Sequence, residues 1–66
     1  MKKRSVTIAG HATSVSLEPE FWDHLGAIAA RENLSINALI TEIDAAKTGQ
    51  NLSSAIRVFI LKSLTA

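Results

Sequence analysis

The stretch from Ala55 to Leu64 does most to limit how this chain can fold. It holds Ala55, Ile56, Val58, Phe59, Ile60, Leu61 and Leu64, so a helix formed there is apolar on nearly every side. A lone domain of 66 residues cannot cover such a helix all round. Chains of this size hide only about 60% of the surface that the unfolded form exposes, and usually need a disulfide, a metal or a partner subunit. Cysteine is absent, which removes both a disulfide and a thiolate metal site. His11 and His24 lie far apart in sequence, with no complete metal shell near either. A partner subunit remains, and a homodimer is the expectation.

The residues are 47% hydrophobic and 20% charged, enough apolar content for one globular domain rather than a disordered chain. No apolar run approaches the roughly 18 residues of a membrane span. Met1-Lys2-Lys3-Arg4 resembles the charged start of an export signal. Ser5, Thr7, Gly10, His11 and Ser14 follow where that signal needs an apolar stretch. With no cysteine, a cytoplasmic domain is expected. Net charge is +1, but Lys2, Lys3 and Arg4 cluster at the start and Glu18, Glu20 and Asp23 just after. The picture is a basic arm on a nearly neutral body. Two histidines and six carboxylates, without cysteine or tyrosine, show no spacing that unites acid, base and nucleophile. No enzyme, cofactor or metal is expected.

Residues 4 to 17 alternate in a strand pattern, with Val6, Ile8, Thr13, Val15 and Leu17 set against small or polar neighbours. Gly10 interrupts it. Either Gly10-His11 form a type II′ turn, with Ile8 facing Thr13 and Val6 facing Val15, or residues 1–10 are a loose basic arm and only 12–17 form a ribbon strand. Pro19 opens a first helix, 19–32, with Asn33 as its stop. Ser35 caps a second, 35–46, whose stripe is Ile36, Leu39, Ile40 and Ile43. Asn51 or Ser53 caps a third, 52–64, after the polar break at Lys47-Thr48-Gly49-Gln50. Phe21 continues the core stripe of the first helix. Trp22 points about 100° away and should pack on the third helix or a partner chain. Arg57, inside an apolar helix, needs an acid, and Glu42 or Asp44 is expected.

The run Thr13-Ser14-Val15-Ser16-Leu17-Glu18-Pro19-Glu20-Phe21-Trp22, with Leu25 and Ala29, followed by Asn33-Leu34-Ser35-Ile36-Asn37-Ala38-Leu39-Ile40, resembles the ribbon-helix-helix family of the Arc and MetJ type. Residues 12 to 46 carry the likeness. A small bacterial subset with an added C-terminal helix, similar to Asn51-Leu52-Ser53-Ser54-Ala55-Ile56-Arg57, extends it over nearly the whole chain. The resemblance implies a mostly α fold with a short N-terminal β ribbon, built as one domain, 1–66, in an intertwined homodimer. Its dimer core would be Val15, Leu17, Phe21, Leu25, Ile36, Leu39, Ile40, Ile43, Ile56, Phe59 and Ile60.

It also implies a transcriptional regulator that lays a two-stranded ribbon in the major groove of double-stranded DNA. Ala12, Ser14 and Ser16 would face the bases. Lys2, Lys3 and Arg4, with Ser35, Ile36 and Asn37 at the start of the second helix, would hold phosphates. Serine reaches less far than Arg, Lys, Asn or Gln, and where the bacterial subset often has a basic residue this chain has Ala12. A protein-interaction module that kept the fold without specific DNA binding is the second reading. An antitoxin is the third, set against by a compact apolar helix where a toxin-wrapping segment would stand. The place of residues 4–9 separates the first two readings, and a hairpin of 4–9 with 12–17 strengthens the interaction module. Two hairpins side by side would make a four-stranded sheet, wider than the groove admits.

Overall fold

In a computed structural model, which describes residues 1–65, the order is β1 (Lys2–Ile8), β2 (His11–Leu17), α1 (Pro19–Arg31), α2 (Ile36–Ala46) and α3 (Leu52–Thr65). The basic arm is therefore a strand. β1 and β2 form an antiparallel two-stranded sheet within one chain, pairing Lys2 with Leu17, Arg4 with Val15, Val6 with Thr13 and Ile8 with His11.

The turn differs from the expected Gly10-His11. Ala9 and Gly10 are its centre, with φ of 53° and 82°, and two positive φ values define a type I′ turn. Its twist suits the flanking strands, and Gly10 adopts its conformation without strain. The pairing thereby slides by two residues. A slide of two leaves every side chain on its face, so Val6, Val15 and Leu17 still point at the helices and are buried. Thr13 shares that face but lies towards the turn and is exposed.

Local chemistry sets the helix ends. Pro19 stands in the first turn of α1, where its missing N–H is no loss. Asn33, at φ 59°, reverses the chain after α1. The Leu34 N–H donates to the Ala29 carbonyl at 2.9 Å and the Asn33 N–H to Ala30 at 3.2 Å, which is a Schellman closure. Ser35 Oγ accepts from the Ala38 N–H at 3.0 Å to cap α2, and Asn51 Oδ1 accepts from the Ser54 N–H at 2.8 Å to cap α3.

Leu17, Leu25, Ile40, Ile56 and Ile60 form the centre of the core, between the inner face of the ribbon and the three helices. Of the residues assigned to a dimer core, Val15, Leu17, Leu25, Leu39, Ile40, Ile43, Ile56 and Ile60 are buried within a single chain. Phe21, Ile36 and Phe59 line its margin, partly buried. Within the chain, β1 and β2 form a two-stranded ribbon. α3 supplies the cover that a two-helix chain lacks, burying Ala55, Ile56 and Ile60. Its outer side, with Val58, Leu61 and Leu64, stays exposed. No helix among the described residues is long and apolar enough to cross a membrane.

Holding a residue with a Cβ in the left-handed region costs about 1–2 kcal/mol, less for asparagine. Ala9→Asn should therefore stabilise the chain by about 1 kcal/mol, a rise in Tm of about 4–8 °C for a domain of this size. A thermal melt checks this, and an unchanged or lower Tm would contradict the turn assignment.

Candidate nucleic-acid interface on the open face of the ribbon

Residues paired across the ribbon share a face. The pairs Lys3–Ser16, Ser5–Ser14 and Thr7–Ala12 fall opposite to Val6, Val15 and Leu17 and so form the outer face. All six are exposed apart from Ser16, which is half-buried. Ala12, Ser14 and Ser16 thus share their side of the sheet with three residues of β1. Five of the six side chains are small, and Lys3 alone is long enough to reach far from the sheet.

Strand alternation divides the basic cluster. Lys3 lies on the outer face, whereas Lys2 and Arg4 share the face of Val6 at the open end of the hairpin. The Arg4 guanidinium lies 5.0 Å from the centroid of the Trp22 ring, a cation–π contact. Trp22 is buried, and its Nε1–H donates to the Lys2 carbonyl at 2.9 Å. Trp22 therefore ties β1 to α1, where contact with the third helix or a partner was expected. The indole needs a hydrogen-bond acceptor once buried, and the strand carbonyl supplies it.

Both edges of the ribbon meet a helix. In a hairpin closed by two residues, the pair beside the turn exchanges hydrogen bonds, so alternate residues aim their backbone groups outward. Thr7 on β1 is one of these. Its N–H donates to Asn37 Oδ1, and Asn37 Nδ2 donates to its carbonyl, both at 2.8 Å. The Asn37 amide thus pairs with Thr7 as a neighbouring strand would. On β2, the outward carbonyl of Ser16 accepts from Ser53 Oγ of α3 at 3.2 Å. Of the residues expected at a phosphate, Ser35 spends its hydroxyl on the cap of α2 and Asn37 spends its side chain on β1. This clamp places the start of α2, with Ile36, beside the ribbon near its turn.

Arg57 finds Glu18, not Glu42 or Asp44. Its Nη2 lies 3.1 Å and its Nε 3.2 Å from Glu18 Oε1, and its guanidinium lies 5.7 Å from the Phe21 ring centroid. Glu18 is the residue between β2 and α1, so this contact joins α3 to the ribbon–helix junction. The Glu18 carboxyl is held below its ordinary value of 4.5, first by a backbone hydrogen bond of its own residue and then by Arg57.

A family model for the ribbon-helix-helix domain matches residues 1–64. The chain belongs to the ribbon-helix-helix family. Domains of this family are DNA-binding regulatory modules that typically dimerise, and not enzymes. No curated protein and no solved structure matches the chain.

Sequence reasoning grouped Lys3 with a loose arm and did not place Ser5 or Thr7 on the open face. The signal for both was the strand period of residues 4–9, which sets Lys3, Ser5 and Thr7 opposite to Val6 and Ile8 once a hairpin is assumed. The Asn37 clamp has no such signal, since its partners stand 30 residues apart.

Two measurements probe these ties. Asn37→Ala removes two hydrogen bonds of about 0.5–1.5 kcal/mol each, so a loss of roughly 1–3 kcal/mol is expected, with faster amide exchange at Thr7. Unchanged exchange there would contradict the clamp. Because the folded Glu18 carboxyl sits below its unfolded value, its stabilisation is complete above about pH 4.5 and fades as pH falls through the folded value. Glu18→Gln should therefore be less stable than the parent at pH 7, with the gap closing in acid. A gap that persists at the lowest pH would point to lost packing instead.

Proposed function

We propose that this chain is a DNA-binding protein of the transcription-regulator type that acts as a homodimer and presents the outer face of its hairpin to the major groove of double-stranded DNA. One observation supports this reading most: the ribbon is two strands wide, open on its outer face, and closed at a point on each edge by a helix side chain. The major groove admits a two-stranded ribbon. Asn37 occupies the outward backbone groups of Thr7 on β1, and Ser53 occupies the carbonyl of Ser16 on β2. A sheet built by pairing β2 with a second β2 would be four strands wide and excluded.

On that face Ala12, Ser14 and Ser16 stand beside Lys3, Ser5 and Thr7. Lys3 is the group best able to reach a guanine edge or a phosphate, and the hydroxyls give short, weakly discriminating contacts. Lys2 and Arg4 flank the open end of the ribbon and Ser35, Ile36 and Asn37 flank it near the turn. Lys2 and Arg4, with the backbone amides at the start of α2, would take phosphates on either side of an inserted ribbon. Affinity then comes chiefly from phosphates, and specificity is modest.

The pairing of β1 with β2, which two hairpins side by side would widen to four strands, and the smallness of five of the six outer side chains favour a second reading, an interaction module that kept the fold without DNA readout. Fluorescence anisotropy with a duplex from the protein's own promoter and an unrelated duplex separates the two. Three phosphate contacts per chain, six per dimer, predict a fall in affinity on the order of a thousandfold between about 50 and about 200 mM salt, and Lys3→Ala should lower the salt slope by about two contacts. No binding at low salt, or binding indifferent to Lys2, Lys3 and Arg4, would reject the DNA reading in favour of a protein partner.

A further inference from the structure

In a strand that pairs along one edge only, alternate residues carry backbone N–H and C=O groups that face away from the partner strand. On β1 these residues are Lys3, Ser5 and Thr7. Asn37 already pairs with Thr7, giving it one donor and one acceptor at 2.8 Å each. Lys3 and Ser5 are exposed, and among the described residues no hydrogen bond reaches their outward groups. The free part of the edge thus lies at the open end of the hairpin. There Lys2, Lys3 and Arg4 follow one another, and neither strand carries an acid. We propose that this edge binds an extended acidic segment of another protein, which adds to the sheet as a third strand beside β1. The proposal goes beyond the DNA reading and does not depend on it.

Charge selects this occupant over a second copy of the strand. Two β1 strands paired antiparallel and centred on Ser5 would set Lys3 against Thr7, whose backbone groups Asn37 already holds. Centred on Arg4, the pairing sets Arg4 against Arg4. Centred on Lys3, it sets Lys3 against Lys3. Like charges directly opposite each other are destabilising in a sheet, and lysines on an edge oppose self-pairing for that reason. An acidic strand reverses the sign, because alternate carboxylates on one of its faces meet Lys2 and Arg4. These bases sit on a fastened strand. The Arg4 guanidinium lies 5.0 Å from the centroid of the Trp22 ring, and the Trp22 Nε1–H holds the Lys2 carbonyl at 2.9 Å. Docking therefore orders little that is not ordered already. Glu18, which follows β2, is engaged by Arg57 and does not compete. Asn37 ends the free edge, so the docked strand is short. The β2 edge takes no part and stays free for association between chains.

The test titrates the full chain at low salt with a short fluorescein-labelled peptide that alternates glutamate and threonine, read by anisotropy. Two further peptides serve as controls: one with lysine in place of glutamate, and one N-methylated along its backbone, which keeps the charge and loses the N–H donors. The acidic peptide should bind and the lysine peptide should not. N-methylation should weaken binding by at least about tenfold, since it removes backbone hydrogen bonds. Amide exchange in the bound chain should slow at Lys3 and Ser5 and stay unchanged at Ala12 and Ser14. Ser5→Pro removes an outward N–H at an edge position where proline is tolerated, and should lower affinity to a similar degree with an unchanged circular dichroism spectrum. No binding of the acidic peptide, equal binding of its N-methylated form, protection at Ala12 and Ser14 in place of Lys3 and Ser5, or a folded Ser5→Pro variant as tight as the parent would each overturn the proposal. Duplex is titrated separately on the same samples. A chain that binds duplex but not the peptide rejects this inference alone, and one that binds the peptide but not duplex rejects the DNA reading alone.

Discussion

The ribbon is held to the helices by two side chains acting as substitutes for backbone. Asn37 offers Thr7 one donor and one acceptor at 2.8 Å each, as a third strand would. Trp22 buries its ring under the open end of the hairpin and donates to the Lys2 carbonyl. Isolated two-stranded hairpins are marginal in water. Fastened near both ends and packed through Val6, Val15 and Leu17, this one becomes part of the core. Everything proposed for the outer face depends on that fastening, because a loose arm would present no face at all.

The same fastening explains how so short a chain encloses its own core. β1 pairs with β2 along one edge, and α3 packs on α1, α2 and β2. Leu17, Leu25, Ile40, Ile56 and Ile60 are fully enclosed as a result.

Charge is unevenly distributed. A net charge of +1 says little about a nucleic-acid partner. Locally, Lys2, Lys3 and Arg4 stand along β1, whereas Glu18 is occupied by Arg57 at the junction with α1. The ion pair holds α3 against the ribbon–helix junction and takes a carboxylate near the ribbon out of competition with phosphate. Lys3 is left on the open face without an acidic neighbour there, among Ser5, Thr7, Ala12, Ser14 and Ser16.

Much of the fold was legible in the sequence. Three helices, the cap Ser35, the stop at Asn33 and the inward set Val15 and Leu17 all follow from local chemistry and period, because caps and amphipathic stripes are short-range properties, whereas Asn51 and Ser53 stayed equal candidates for the third cap. The outward placement of Ala12, Ser14 and Ser16 followed too, since a slide of two residues preserves faces. The turn did not. Choosing Ala9-Gly10 over Gly10-His11 requires accepting strain at an alanine, and the contacts that pin β1, from Asn37 and Trp22, lie 30 and 20 residues away. The partner of Arg57 was misassigned for the same reason. It needed one specific acceptor, and a one-dimensional pattern shows the need but not which of several acceptors folding brings within reach. Sequence alone determined the elements and their faces. The register of the ribbon and the side chains that tie Thr7, Lys2 and Ser16 to the helices were decided only when those elements met in space.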